Sequence, residues 1–584
     1  MSTLCAAFQA TAAIDPDAIA VRTPGNTRTL TWREYATQVR AVATGLAALG
    51  VRRGDTVALM MSNRVDFYPI DVGALHLGAT SFSVYNTLPA SGIRFVLDNA
   101  RAKIVFCEAQ YVDRIRESGA DVERIIVVDG TPEGTVPLAE LTTMDTGGFD
   151  FEGTWRAVEA DDVATLIYTS GTTGTPKGVE STHAALLFEA RAVHEVLPVE
   201  YGDRITSFMP SAHIADRMTA LYFQLVFGTQ ITVVADPSLI AAALPDCRPT
   251  VWGAVPRVWE KLRVAVELGI EREPDDTRRA ALRWALDVGA RRVEILRAGR
   301  EVPADLAAEH AKAEQAVLGP LREKLGFGEL KWAVSGAAPI PPATLAFFTA
   351  LGLRVSEIWG MSELTCIASA TPADPARLGT VGRILPGMEM RVADDGELLV
   401  RGPLVMKGYR GEPAKTAEVL SPDGWLSTGD VVTVDEEGYL SVVDRKKELI
   451  INASGKNMSP ANIENAVKAA SSLVAGVVAI GDARPYNTAL VVLDPEALHG
   501  RGFGDESVLA QVAEAIATAN KELSRVEQIK RFKILPVFWE PGADELTLTM
   551  KLRRKPIGEK YAEDIEALYA EPMAKDVHEP VSAA

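Results

Sequence analysis

The chain has 584 residues, 47% of them hydrophobic and 24% charged, which excludes a mini-protein or a disordered chain and fits several domains, or one large domain with a smaller one appended. Its 78 acidic side chains outnumber 60 Lys and Arg for a formal net charge of −18, so general attraction to nucleic acid or to an anionic bilayer is excluded and any anionic ligand must meet a local group of cations. Cys5, Cys107, Cys247 and Cys366 lie far apart with no C-x-x-C and no Cys/His cluster, which argues against a disulfide framework and a zinc site and fits a reducing cytoplasm.

The N-terminus lacks a basic stretch followed by an apolar run, and no window of about 20 residues is apolar enough to span a bilayer. A soluble, cytoplasmic protein is expected, with peripheral membrane contact through an amphipathic face and a homodimer both left open.

Thr31-Trp-Arg-Glu34 reads as a capping box, followed by Tyr35, Val39, Val42, Leu46 and Leu49 at helical spacing until Gly50 ends the helix. Residues 56–61 read as a strand, 67–77 as a helix and 103–107 as a buried strand, and the alternation continues past residue 150, as expected of helices packed on mostly parallel sheets. From about 260 to 324 the pattern is long, charged and helical, and reads as an insertion with a solvated outer face. Beyond about 385 it turns β-rich and glycine-punctuated, and a further α/β block runs from 446 to about 569. The last dozen residues contain two prolines and few large apolar groups and read as a frayed tail.

The most informative stretch is Tyr168-Thr-Ser-Gly-Thr-Thr-Gly-Thr-Pro-Lys-Gly178, directly after an apolar strand. Glycines let backbone approach a ligand, hydroxyls donate to phosphate oxygens and Lys177 adds a point charge, so the chemistry is that of a phosphate cradle. It is not a Walker A loop, because Pro176 precedes Lys177 and Gly178 follows it.

This string resembles the signature of the adenylate-forming superfamily of acyl-CoA synthetases, peptide-synthetase adenylation domains and luciferases. Other segments in order resemble the rest of that family's set: Ser335-Gly-Ala-Ala-Pro339, Ile358-Trp-Gly-Met-Ser-Glu363, Ser427-Thr-Gly-Asp430, Asp444-Arg445 and Thr547-Leu-Thr-Met-Lys551. The resemblance covers roughly residues 30 to 560. It implies an α/β fold with a large N-terminal domain of α/β subdomains plus a β-rich subdomain (1–443) and a small mobile α+β C-terminal domain (444–571), followed by a flexible tail (572–584).

It also implies a site. Thr169, Ser170, Gly171, Thr172, Thr173, Gly174 and Lys177 would cradle the phosphates of ATP, with Lys177 escorting the β- and γ-phosphates. Ser335, Gly336 and Ala337 would lie along the adenine, and Trp359, Gly360, Met361 and Ser362 would flank it. Asp430 and Arg445 would bind the ribose, Glu363 and Thr169 would hold Mg²⁺, and Lys551 would bridge the substrate carboxylate and the α-phosphate. Lys447 would be the hinge of a C-terminal rotation that brings Ser454, Gly455 and Lys456 to a CoA tunnel. Two departures stand out: Trp359 occupies the usual tyrosine position, and Ser454-Gly455 the usual pair of glycines.

Pro210-Ser-Ala-His-Ile-Ala-Asp-Arg-Met218, Gly253-Ala-Val-Pro-Arg-Val-Trp-Glu-Lys261 and the helical insertion resemble the long-chain fatty acyl-CoA synthetase branch. The implied reaction joins a fatty acid to CoA through acyl-AMP. His213, Trp252 and Val255 are the candidate acyl-pocket residues, although a histidine here can be structural and Trp252 can either gate a channel or fill the core. The competing readings are a fatty acyl-AMP ligase that hands its product to a carrier protein, a nucleotide-binding scaffold without catalysis, and a luciferase-like oxygenase.

Overall fold

Thr31 begins the architecture as its neighbours dictate. Its hydroxyl accepts from the Glu34 N–H while Glu34 Oε2 accepts from the Thr31 N–H at 2.8 Å, starting the helix Trp32–Ala48, whose Tyr35, Val39, Val42 and Leu46 are buried. Gly50 then takes φ +90°, which a side chain resists. The computed structural model describes residues 1–144, 147–169, 176–453, 456–540, 542–547 and 551–581. Among these, the phosphate-loop residues Ser170, Gly171, Thr172, Thr173 and Gly174 and the tunnel residues Ser454 and Gly455 do not figure.

The largest sheet runs, in spatial order, Gly408–Tyr409, Lys177–Thr182, Val163–Thr169, Thr80–Ser83, Thr56–Met60, Ala102–Cys107, Arg124–Val127 and Val136–Pro137. From Val163–Thr169 onward its neighbours are parallel, while Lys177–Thr182 and Gly408–Tyr409 add antiparallel strands at one edge. Thr56–Met60 is buried along its whole length, as a strand covered on both faces must be. A second sheet orders Arg204–Ser207, Gln230–Val233, Ile19–Arg22 and Thr29–Thr31.

A parallel trio, Val251–Ala254, Trp332–Ser335 and Val355–Glu357, packs against a run of helices: Pro256–Glu271, Asp276–Arg297, Ala304–Ala313 and Gly319–Lys324. Those helices contain the stretch read as a helical insertion. The β-rich part of the N-terminal domain is an antiparallel sheet ordered Glu389–Val392, Glu397–Arg401, Leu426–Val434 and Leu440–Arg445.

Asp444 and Arg445 end the last of these strands, so the passage to the smaller C-terminal domain follows Arg445. Asp444 Oδ2 accepts from Ser459 Oγ at 2.6 Å and from the Ala461 N–H at 3.0 Å, fastening the start of helix Pro460–Ala470 to the strand end. The C-terminal sheet orders Val474–Ile480, Asn487–Leu493 and Ile529–Ile534, with helices Pro460–Ala470 and Glu506–Glu522 on its face. The fold is thus α/β, with a large N-terminal and a smaller C-terminal domain.

The expected loose tail is corrected in part. Val577 is buried, His578 bridges Phe532, and Lys533 pairs with Asp576 at 2.5 Å, so residues up to His578 lie on the C-terminal domain. Partners distant in sequence supply what local composition lacks. Among the described residues, no helix is long and apolar enough to cross a membrane.

Candidate functional site

The strand Val163–Thr169 turns back as Lys177–Thr182, and the register sets Thr169 opposite Lys177, at the two ends of the phosphate loop. Lys177 Nζ lies 4.4 Å from the centre of the Tyr409 ring, within cation–π range. Tyr409 comes from the neighbouring edge strand, and its hydroxyl donates to Glu363 Oε1 at 2.9 Å. Burial and the Glu363 charge push the Tyr409 hydroxyl up, so it remains a donor. Nothing in local spacing marks Tyr409 as part of this group; only the pairing of strands more than 200 residues apart brings it there.

The two expected adenine segments meet at the ends of the parallel trio. Ser335 ends Trp332–Ser335, is buried, and its hydroxyl has no hydrogen-bond partner among the described residues. Ala337 follows Gly336 at φ +71°, turning the chain away from the strand. Gly360 is required by close approach, since a Cβ there would lie 1.7 Å from the Cys366 carbonyl oxygen. That approach holds Trp359 against Ser369 as a β-bridge, with Met361 and Ser362 half-buried beyond it.

Trp359 Nε1 donates to Asp430 Oδ2 at 2.8 Å, and Arg445 Nε pairs with Asp430 Oδ1 at 2.8 Å from the adjacent strand. Burial raises the Asp430 carboxyl above its ordinary range, and Arg445, the Trp359 N–H and Lys551 offset part of that rise. Lys551 thus reaches from the C-terminal domain into the field of the N-terminal site. Although solvent touches its side chain, the surrounding protein and then the Arg445 charge push its ammonium below the usual range, against Asp430, Glu363 and Glu448.

His213 joins this group from another direction. Its Nδ1 accepts from the Ala215 N–H at 3.1 Å, capping the turn Ile214–Asp216. Burial, and next the Lys551 charge, lower the imidazole to about 4, so it is neutral near pH 7. Trp252, in contrast, is wholly buried within the core cluster, with Trp259 at 4.8 Å and Phe327 at 5.3 Å between ring centres. Val255 stands half-buried at the head of helix Pro256–Glu271, against the same core. Lys447 is exposed between Arg445 and the short hairpin Ile450–Ile451 and Asn457–Met458. Lys456 lies on that hairpin, its N–H donating to Asn452 Oδ1 at 3.0 Å.

Comparison with known proteins identifies the family. The family described as AMP-binding enzyme matches residues 8–410, more than half of the chain. The chain belongs to the AMP-binding enzyme family. Residues 447–572 match the AMP-binding enzyme C-terminal domain. A Mycobacterium tuberculosis protein named putative fatty-acid–CoA ligase fadD11 is 60% identical over 77% of this chain and 81% of its own length. The long-chain-fatty-acid–CoA ligase FadD15 of the same species is 36% identical over 92% of each. Among solved structures, the A domain of carboxylic acid reductase from Segniliparus rugosus, in complex with AMP and a co-purified carboxylic acid, shares the fold at TM-score 0.75 and 21% identity, covering 98% of this chain and 94% of that one.

Proposed function

We propose that the chain is an AMP-forming long-chain fatty acid:CoA ligase, using ATP and CoA. The observation that carries this reading is the group Trp359, Asp430 and Arg445, with Lys551 of the C-terminal domain in its electrostatic field. The 36% identity to a long-chain ligase over nearly the whole chain supports the substrate class.

In the first half-reaction a carboxylate oxygen attacks the α-phosphorus of ATP and the bond to pyrophosphate breaks. Two anions must meet in line, so the work is charge neutralisation and alignment. Lys177 would escort the β- and γ-phosphates, Lys551 would bridge the carboxylate and the α-phosphate, and Asp430 with Arg445 would take the ribose. The donors expected for Mg²⁺ are the Glu363 carboxylate and the Thr169 hydroxyl, which suit an ion delivered with the nucleotide, and no group of three His, Cys, Asp or Glu is found among the described residues. When bound there, the ion would supply screening of phosphate charge.

In the second half-reaction the CoA sulfur attacks the acyl carbonyl, AMP leaves and the thiol proton passes to solvent. Access for the thiol requires Lys551 to withdraw, with Lys447 as the hinge and the Lys456 hairpin, which carries Ser454-Gly455, lining the tunnel. A fatty tail gains about 0.8 kcal/mol per buried CH₂, so chain length is read coarsely. His213, in the electrostatic field of Lys551, would border the carboxylate end of the acyl group.

The test is product identity with fatty acids of graded length. Palmitate, ATP and CoA are expected to give palmitoyl-CoA, AMP and pyrophosphate. Acyl-AMP accumulating despite CoA would replace this reading with an acyl-AMP ligase, and no nucleotide turnover with any fatty acid would leave a scaffold.

A further inference from the structure

The tyrosine-to-tryptophan departure at position 359 gives the site a contact that stacking alone does not require. The Trp359 indole has one N–H, and it is spent on Asp430 Oδ2 at 2.8 Å, while Arg445 Nε forms an ion pair with Oδ1 at 2.8 Å. Both side chains that hold the carboxylate are themselves fixed. Trp359 donates its backbone N–H to the Ser369 carbonyl at 3.2 Å and is 8% exposed. Arg445 lies directly across the strand pair from Asp430 and also donates to the Thr428 carbonyl at 3.2 Å.

A carboxylate has about four acceptor positions, two on each oxygen. The indole N–H takes one on Oδ2 and the Arg445 charge engages Oδ1, which leaves positions on both oxygens for a ligand and fixes the plane in which they point. Two neighbouring hydroxyls of a ribose are the ligand that such a pair fits. A carboxylate free to rotate about its Cβ–Cγ bond would present them in no fixed direction.

We infer that Trp359 is a positioning residue for ribose recognition: its indole N–H orients the Asp430 carboxylate, so that discrimination between ribo- and deoxyribonucleotides depends on position 359. This rests on the reading of Asp430 as the ribose acceptor. Asp430 is 3% exposed, so the bond is made away from water, where a hydrogen bond to a charged group has its greatest effect.

The test replaces Trp359 in the full-length protein by Phe, which keeps a ring and removes the N–H. A second replacement, β-(benzothiophen-3-yl)alanine, keeps the bicyclic shape and also lacks the N–H, so a packing defect in Trp359→Phe does not decide the outcome. Fatty-acid-dependent ATP–pyrophosphate exchange is measured with ATP and 2′-deoxy-ATP. For both replacements KM for ATP should rise about tenfold with kcat little changed, and the preference for ATP over 2′-deoxy-ATP should shrink by a similar factor. The acid limb of kcat/KM should also move to higher pH, because the lost N–H favours the ionised carboxylate.

A preference and acid limb equal to those of the unmodified protein would overturn the inference while leaving the proposed function standing. Absence of exchange in the unmodified protein would overturn both.

Discussion

Arg257, on the helix Pro256–Glu271 of the N-terminal domain, reaches Asp494 of the C-terminal domain with Nη2 2.5 Å from Oδ2. Their side chains are 23% and 16% exposed, so the pair is partly shielded from water. Burial pushes the Asp494 carboxyl up, but Arg257 and the backbone N–H groups of Ala497 and Glu496 outweigh it and hold the carboxyl below its usual range. Asp494 Oδ1 separately caps the turn Pro495–Leu498, so Arg257→Gln removes the bridge and leaves the cap intact. A pair of this exposure is worth about 1 kcal/mol after desolvation and side-chain entropy, or about fivefold in the equilibrium between domain poses. Because the bridge exists in the pose that lodges Lys551 at the site, Arg257→Gln should slow ATP–pyrophosphate exchange by up to about fivefold. Thioester formation from a supplied acyl-adenylate, which needs the other pose, should not slow. High salt should bring the unmodified protein toward the variant and change the variant little. Equal slowing of both half-reactions, or none of the first, would refute the reasoning.

Lys551→Ala should lower ATP–pyrophosphate exchange about 100-fold or more while thioester formation from supplied acyl-adenylate stays within a few-fold; equal loss in the two assays would remove Lys551 from the first step. Glu189 is fully buried, and burial pushes its carboxyl well above the ordinary value against one N–H from Ile367. The folded state therefore keeps a proton that the unfolded chain releases near 4.5, and stability is lost as pH rises toward the folded value; Glu189→Gln, which does not titrate, should gain about 1.4 kcal/mol per pH unit relative to the parent over that window, read by urea unfolding at pH 5 and 7. His183 has the opposite sign: burial lowers it to about 4, so its contribution is complete above pH 6.5 and fades as pH falls toward 4. His183→Asn, whose amide oxygen can take the Leu4 N–H now bound by Nδ1, should flatten the acid decline by about one proton in the same assay.

How much of this was legible depended on whether the information was local. The capping box at Thr31 and the glycine at 50 state their conformations within a few residues, and the helix follows them. The motif strings could be read because close approach demands particular residues: Gly360 leaves no room for a Cβ against Cys366. Thr169, Lys177, Glu363, Asp430, Arg445 and Lys551 fall in separate segments; the structure sets Thr169 opposite Lys177, pairs Asp430 with Arg445, and brings both Lys177 and Glu363 to Tyr409. Tyr409 was invisible because it enters only through an edge-strand pairing. The Trp359–Asp430 bond was invisible for the same reason, although the unusual residue at 359 was itself plain. Residues 572–578 looked loose because their partners, Phe532 and Lys533, lie some forty residues earlier.

The acidic chain and its three candidate-site cations are connected by what each cation already does. Arg445 is committed to Asp430, and Lys177 rests on the face of Tyr409. Lys551 stands in the repulsive field of Arg445, within enough protein that its ammonium is disfavoured. Asp430, Glu363 and Glu448 offset only part of that, so a further anion beside Lys551 would favour its place. A carboxylate and an α-phosphate arriving together would supply that charge, so their binding and the seating of the C-terminal domain favour one another. Such coupling is reciprocal. Loosening the seat at Arg257 and Asp494, far from the nucleotide, must then weaken the combined binding of ATP and fatty acid by up to the same factor, about fivefold, by which it shifts the domain.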